Sequence, residues 1–176
     1  SGWLSMEVAY DAAAMFMAGA IIYTEQSNYH QLAFQAGAVV EAVNCDFQGL
    51  QGVSGGYMVA RACRFHSLLS LRSTFMDLVQ CSLNGTGLFT ASRVYVDTCT
   101  NTGPAGSVLC FFTITDCSVL EIVNSTVENN QETPIIVSNN SVVRIRGGKI
   151  TANQGHGVLL QDNSIIYAEN AEISKN

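Results

Sequence analysis

The chain is 176 residues long and carries a formal net charge of −6, with 14 acidic against 8 basic residues. That length is one domain's worth, and so few Lys and Arg exclude a nucleic-acid phosphate backbone as a natural partner. An apolar content of 48% excludes a disordered chain, and no apolar run reaches the roughly 18 residues a membrane-spanning helix needs. Charged residues are only 12%, while Ser, Thr, Asn and Gly are abundant, which suits a β-solenoid with uncharged polar turns.

Taken in chain order, Ser1-Gly2 resembles the scar of a cleaved tag, so a longer natural chain is expected, with this sequence a fragment of it. Ala12–Ile22 is apolar but has no basic segment before it, unlike a secretion signal. Residues 1–38 read in two ways. One is two further copies of the repeat described next, through Leu4, Met6, Ala9, Asp11 and then Ile22, Thr24, Ser27, Tyr29. The other is a capping segment with an amphipathic helix over Ser5–Ala18, favoured by its run of Ala and Met.

From residue 39 onward the repeat governs. Cys45, Cys63, Cys81 and Cys99 lie 18 residues apart. Five residues before each stands Val40, Met58, Met76 or Val94, and three before each stands Ala42, Ala60, Leu78 or Val96. Two after stand Phe47, Phe65, Leu83 and then Asn101, the one polar residue in that column. Later copies replace Cys by Ser125, Gly148 and Ala171, each preceded by the same apolar pair. Alternation of this kind places the apolar pairs on one face of a strand. The three-residue step from the second apolar position to the Cys position requires a corner, at Val43-Asn44, Val79-Gln80 or Arg146-Gly147. A residue just inside a corner has little room, so Cys45, Cys63, Cys81, Cys99, Ser125, Gly148 and Ala171 are expected to form a core ladder of small side chains.

A third strand completes each coil. It is expected at Val53, Leu71 and Phe89 in the 18-residue coils, and at Leu109/Phe111, Ile135/Val137 and Val158/Leu160 in coils of 22–26 residues. Asn129-Asn130, Asn139-Asn140 and Asn163 fall at turns, where Asn tolerates left-handed backbone. The fold expected is therefore all-β: a single-stranded right-handed parallel β-helix forming one domain over residues 1–176, with coils of 18 and then 22–26 residues. Both ends are expected to need cover, because an open coil exposes unpaired strand edges.

The frames Val40–Phe47 and Met58–Phe65 resemble the parallel β-helix superfamily that includes pectate lyases and phage tailspikes. The copies from Val40–Phe47 to Val94–Asn101 also resemble the large early-region 1B proteins of adenoviruses and the related capsid proteins of reptilian adenoviruses. These resemblances imply the fold, and the second implies a viral setting. Neither implies an activity, because many functions share the scaffold.

Candidate chemistry is sparse. Asp77 and Glu121, with Glu41, stand in an outward column, and such carboxylates two coils apart approach the separation of an inverting glycosidase pair. The bland alternative is solvated surface carboxylates. Asp97 and Asp116 lie near Cys99 and Cys117, but a thiol nucleophile needs a base, and His30, His66 and His156 fall in register with no Cys. In-register thiols point the same way, so free buried thiols are expected rather than disulfides. No spacing suggests a metal or other cofactor. The sequons at Asn84, Asn124 and Asn139 match what chance gives in so Asn-rich a chain.

The function expected is a non-catalytic structural or host-attachment module of a virus particle, located in the virion and in the host cell during assembly. Its expected state is a homotrimer, and its expected partners are other virion proteins or a host-surface receptor or glycan. The alternatives are a polysaccharide-cleaving β-helix and a cellular protein-binding β-helix. The outward positions of Val59, Tyr95, Val123 and Tyr167 lean toward an interface.

Overall fold

The structure is a computed structural model that describes residues 3–6, 12–16, 19–34, 37–52, 55–66, 71–84, 87–102 and 112–176. Among these no helix occurs, and the strands stack into three parallel sheets. The first sheet has nine strands, running from Trp3–Met6 and Ile21–Glu25 through Val39–Val43, Tyr57–Arg61, Phe75–Val79, Arg93–Asp97, Val119–Val123 and Val142–Arg146 to Ile165–Glu169. The second has ten strands, nine on its main path and Leu50–Gly52 paired beside Asn28–Phe34, and follows the first around the corner, as in Asp46–Phe47 and Thr126–Glu128. The third has five, from Leu71–Arg72 to Leu159–Leu160.

Each residue pairs with its own counterpart one coil away. Val40 faces Met58, Met58 faces Met76, and Met76 faces Val94. That register sends the expected apolar pairs inward, where Val40, Ala42, Met58, Ala60, Met76 and Leu78 are all fully buried. The column after the corner is aromatic at its N-terminal end. Tyr29, Phe47 and Phe65 stack with ring centroids 5.4 and 4.9 Å apart and planes 9° and 14° from parallel. Offset stacking of this kind adds to the area term of burial.

Two corners recur in every coil, and both turn through left-handed backbone. The residue before the small-residue position has positive φ in every copy, from Gln26, Asn44 and Ala62 to Asn124, Gly147 and Asn170. Seven residues earlier the same is true of Gly19, Gly37, Gly55, Ser73, Ala91, Cys117, Asn140 and Asn163. Non-glycine residues pay for that conformation, and the corners recover the cost through hydrogen bonds between coils. At the first corner the backbone N–H groups of Cys45 and Cys81 donate to the Sγ atoms of Cys63 and Cys99. The N–H of Cys99 donates to Ser125 Oγ at 3.0 Å. At the second corner the N–H groups of Thr74, Ser92, Ser118 and Ser141 donate to the hydroxyls of Ser92, Ser118, Ser141 and Ser164. This second ladder stands seven residues before the small-residue column in each coil from Thr74 onward, where the coils before it hold Ala20, Ala38 and Gly56.

A third ladder starts where the coils lengthen. Asn101 is buried because it is the first rung of an internal asparagine column, not a flaw in the apolar one. Asn130 Nδ2 donates to Asn101 Oδ1 at 3.0 Å and to Asn153 Oδ1 at 2.8 Å, and Asn153 Nδ2 donates to Asn176 Oδ1 at 2.8 Å. These asparagines follow Ser125, Gly148 and Ala171 by five residues, at a turn that the 18-residue coils do not make.

Two expectations need correction. Ser5–Ala18 is not a capping helix: Trp3–Met6 and Ala12–Phe16 are strands. Leu4 pairs with Ile22 and Met6 with Thr24, while Ala13 pairs with Gln31 and Ala14 with Leu32, so pairing with the next coil overrides the helix propensity of alanine. Ala9 and Asp11 lie outside the described residues. The third-strand pair of the 26-residue coil is Phe112 and Ile114, both fully buried and paired with Ile135 and Val137, rather than Leu109 and Phe111. The extra residues of that coil all precede its third strand. Leu109, Phe111 and Val53 lie outside the described residues.

Two substitutions test these ladders. A Cβ on Gly148 would sit 2.8 Å from the carbonyl oxygen of Ser125, so Gly148→Ala should lower the stability measured in urea by about 1–3 kcal/mol. Asn130→Ala deprives two buried neighbours of a partner and should cost about 1–3 kcal/mol in the same assay.

Candidate functional site

The small-residue column is built from the corner inward. Cys45, Cys63, Cys81 and Cys99 are buried free thiols, Ser125 and Gly148 continue the column buried, and Ala171 packs partly buried against the core at its C-terminal end. Each thiol donates to the carbonyl two residues before it, as Cys45 does to Val43 at 3.3 Å and Cys81 to Val79 at 3.4 Å. Cys45 and Cys81 are held far above the usual thiol range, first by the thiol of Cys63 beside them and then by burial. Cys63 itself is drawn down by hydrogen bonds from Cys45 and Cys81. Cys99 is drawn down in the same way by the thiol of Cys81, and no His, Lys or Arg reaches the column among the described contacts. The thiols therefore pack as neutral, small core groups. His66 lies elsewhere, with Nε2 3.0 Å from Asp46 Oδ1 on the second sheet, and His30 and His156 are exposed. Among the described residues no three His, Cys, Asp or Glu side chains gather as metal ligands. Cys117 sits apart, exposed at a left-handed corner.

These thiols should resist alkylation in the native protein near neutral pH, while Cys117 reacts, and should become titratable on denaturation without reductant. Cys81→Leu should overpack the corner and cost about 1–3 kcal/mol, more than Cys81→Ala.

The second candidate is the outer face of the first sheet. Glu41, Val59, Asp77, Tyr95, Glu121, Arg144 and Tyr167 form its central column. Asp77 and Glu121 both project there, two coils and hence about 9–10 Å apart. Tyr95 stands between them in register. A half-buried tyrosine therefore occupies the coil between the two carboxylates. Each carboxylate also has a partner: Tyr57 OH donates to Asp77 Oδ2 at 2.7 Å, and Arg146 Nη1 lies 3.1 Å from Glu121 Oε1. The first of these bonds raises the Tyr57 phenol above its ordinary pKa. A depression of about 580 Å³ at the last two strands of this sheet is lined by outward Arg144, Arg146, Tyr167 and Glu169 and by inward Ile145, Ile166 and Ala168, and includes neither candidate. The Arg144 guanidinium lies 5.9 Å from the centre of the Tyr167 ring there.

The composition of this face is unlike that of its neighbours. From Ile21–Glu25 to Ile165–Glu169 its outward positions hold only apolar, tyrosine and charged residues, with no Ser, Thr, Asn or Gln. The second sheet turns out Asn28, Asp46, Arg64, Ser82, Thr100, Thr126, Lys149 and Glu172 at its leading column, small polar and charged residues with no apolar one. Phe75 is 54% exposed and Tyr167 56%, and Tyr57 and Ile165 join them. Val59, Tyr95 and Val123, the residues expected to be exposed, are half-buried by the side chains around them. Tyr57 and Phe75 lie in a column one alternation earlier, with Val39, Arg93, Val119, Val142 and Ile165. That column is apolar or aromatic at every coil but that of Arg93, and its outward phase is what marks it as a surface.

Residues 19–176 match the family model described as the right handed beta helix region, and the chain belongs to that family. No curated protein and no solved structure matches the chain.

Proposed function

We propose that this β-helix is a non-catalytic structural or host-attachment module of a virus particle, and that it works through the outer face of its first sheet. The observation that carries the reading is that face itself. It holds exposed Phe75, Tyr57, Ile165 and Tyr167 among charged residues, where the leading outward column of the second sheet holds only small polar and charged ones. Aromatic residues and Arg are enriched at protein interfaces, and contiguous exposed apolar surface marks contact sites. The resemblance of the Cys-bearing copies to adenoviral proteins supports the viral setting. The non-catalytic part rests on Asp77 and Glu121, which are bound by Tyr57 and Arg146 and separated by Tyr95. The partners on this reading are other virion proteins or a host-surface receptor.

Two measurements test it. Purified protein incubated with acidic and neutral polysaccharides should release no reducing ends. Release that disappears in Asp77→Asn or Glu121→Gln would replace this reading with a polysaccharide-cleaving one. An antibody against the chain should label purified virus particles from the source culture, and labelling confined to cellular fractions would remove the virion role.

A further inference from the structure

We propose that the first-sheet face binds the same face of a second copy of this chain, with the two rods antiparallel about a two-fold axis. The inference rests on reading that face as an interface, and it names the occupant.

Size is the first argument. The strands from Ile21–Glu25 to Ile165–Glu169, about 4.8 Å apart and five residues wide, give a footprint of roughly 600 Å². With side-chain relief this approaches the roughly 800 Å² that each partner contributes to a standard interface. A parallel in-register sheet is also a long, even surface, of the kind that a second such sheet can match along its whole length.

Charge order selects the partner and its direction. If two copies packed with their rods parallel, each coil would meet the same coil of the other chain. Glu41 would face Glu41, Asp77 would face Asp77, Glu121 would face Glu121 and Arg144 would face Arg144. Three copies converging this face on a three-fold axis would meet the same conflict, so the trimer expected from sequence does not suit this face. Antiparallel packing about a two-fold axis between Phe75–Val79 and Arg93–Asp97 removes it. Glu41 then faces Arg144, Val39 faces Val142, Asp77 faces the Tyr95 hydroxyl, and the exposed Phe75 ring faces the Arg93 guanidinium. Shifting the axis by half a coil toward the N-terminus, onto Phe75–Val79, would return Asp77 to Asp77 and Glu41 to Glu121. The one like-charged pair left is Glu25 with Glu169, at the two rims of the strip, where solvent screens it. The arrangement is isologous and closes on itself, as most homo-oligomers do.

Sedimentation equilibrium of the purified chain at micromolar concentration tests the proposal. The expected species is twice the 18.9 kDa chain mass. Glu41→Arg alone and Arg144→Glu alone each create two like-charged contacts per dimer and should weaken self-association at least tenfold at low salt. The double variant Glu41→Arg/Arg144→Glu should restore it to near the original value. Circular dichroism and urea midpoints of each variant separate loss of pairing from loss of fold. A monomer or a trimer with intact fold overturns the proposal, and so does a double variant no better than its parents. The two readings fail separately. A monomeric chain found in virus particles would sink only the pairing, and a dimer absent from particles would sink only the virion role.

Discussion

Everything in this molecule follows from the requirement that each residue sit about one strand spacing from its own counterpart in the next coil. A parallel in-register stack makes every side chain a neighbour of the same position, so each column must tolerate itself. Apolar columns do so easily, as Val40, Met58, Met76 and Val94 show. Aromatic columns do so by stacking, as Tyr29, Phe47 and Phe65 show. Polar groups manage it inside the core only by bonding along the stack. The three ladders meet that condition with thiol, hydroxyl and amide groups that each accept from one coil and donate within reach of another. Buried polar side chains are thus permitted because every rung supplies its neighbour.

The same rule explains what could be read from the sequence. The inward columns, the small residues at the corner and the all-β solenoid were legible because self-tolerance leaves a fixed-offset pattern in the chain. The serine ladder at Ser92, Ser118, Ser141 and Ser164 obeyed that offset too, but hydroxyl residues are common in this chain and do not stand out as six Cys do. Asn101 was misleading because its partner Asn130, and Asn153 beyond that, follow the corner by five residues rather than two. The third strand of the 26-residue coil was misplaced for a related reason. Periodicity locates a strand only while the loop before it keeps its length, and here the loop grew on one side.

The outer face of the first sheet was harder to read, because outward columns answer to solvent or to a partner and not to the core. Asp77 and Glu121 were visible as carboxylates, but the ring of Tyr95 between them and the bonds from Tyr57 and Arg146 exist only once the coils are stacked. Sequence spacing places the pair two coils apart, as the register does, and says nothing of the bonds each carboxylate makes. What distinguishes the face is a depletion, the lack of small polar residues from Ile21 to Glu169, and it becomes apparent only when the register separates inward from outward positions.

The uniform 18-residue coils have a consequence for how the rod can change over time. Between Val39 and Asp97, corner, thiol, apolar pair and outward residue all recur at one offset, so coil joins coil through the same contacts wherever the join falls. Duplicating or deleting one such unit in the gene leaves every junction chemically familiar and moves the remainder of the rod by one coil. Length in this half therefore behaves as a ruler with a step of about 4.8 Å. Beyond Cys99 the coils differ in length and carry the amide ladder, so the same edit there would join unlike ends. Lineages could lengthen or shorten the thiol-bearing half in whole steps, while the half beyond it holds its count.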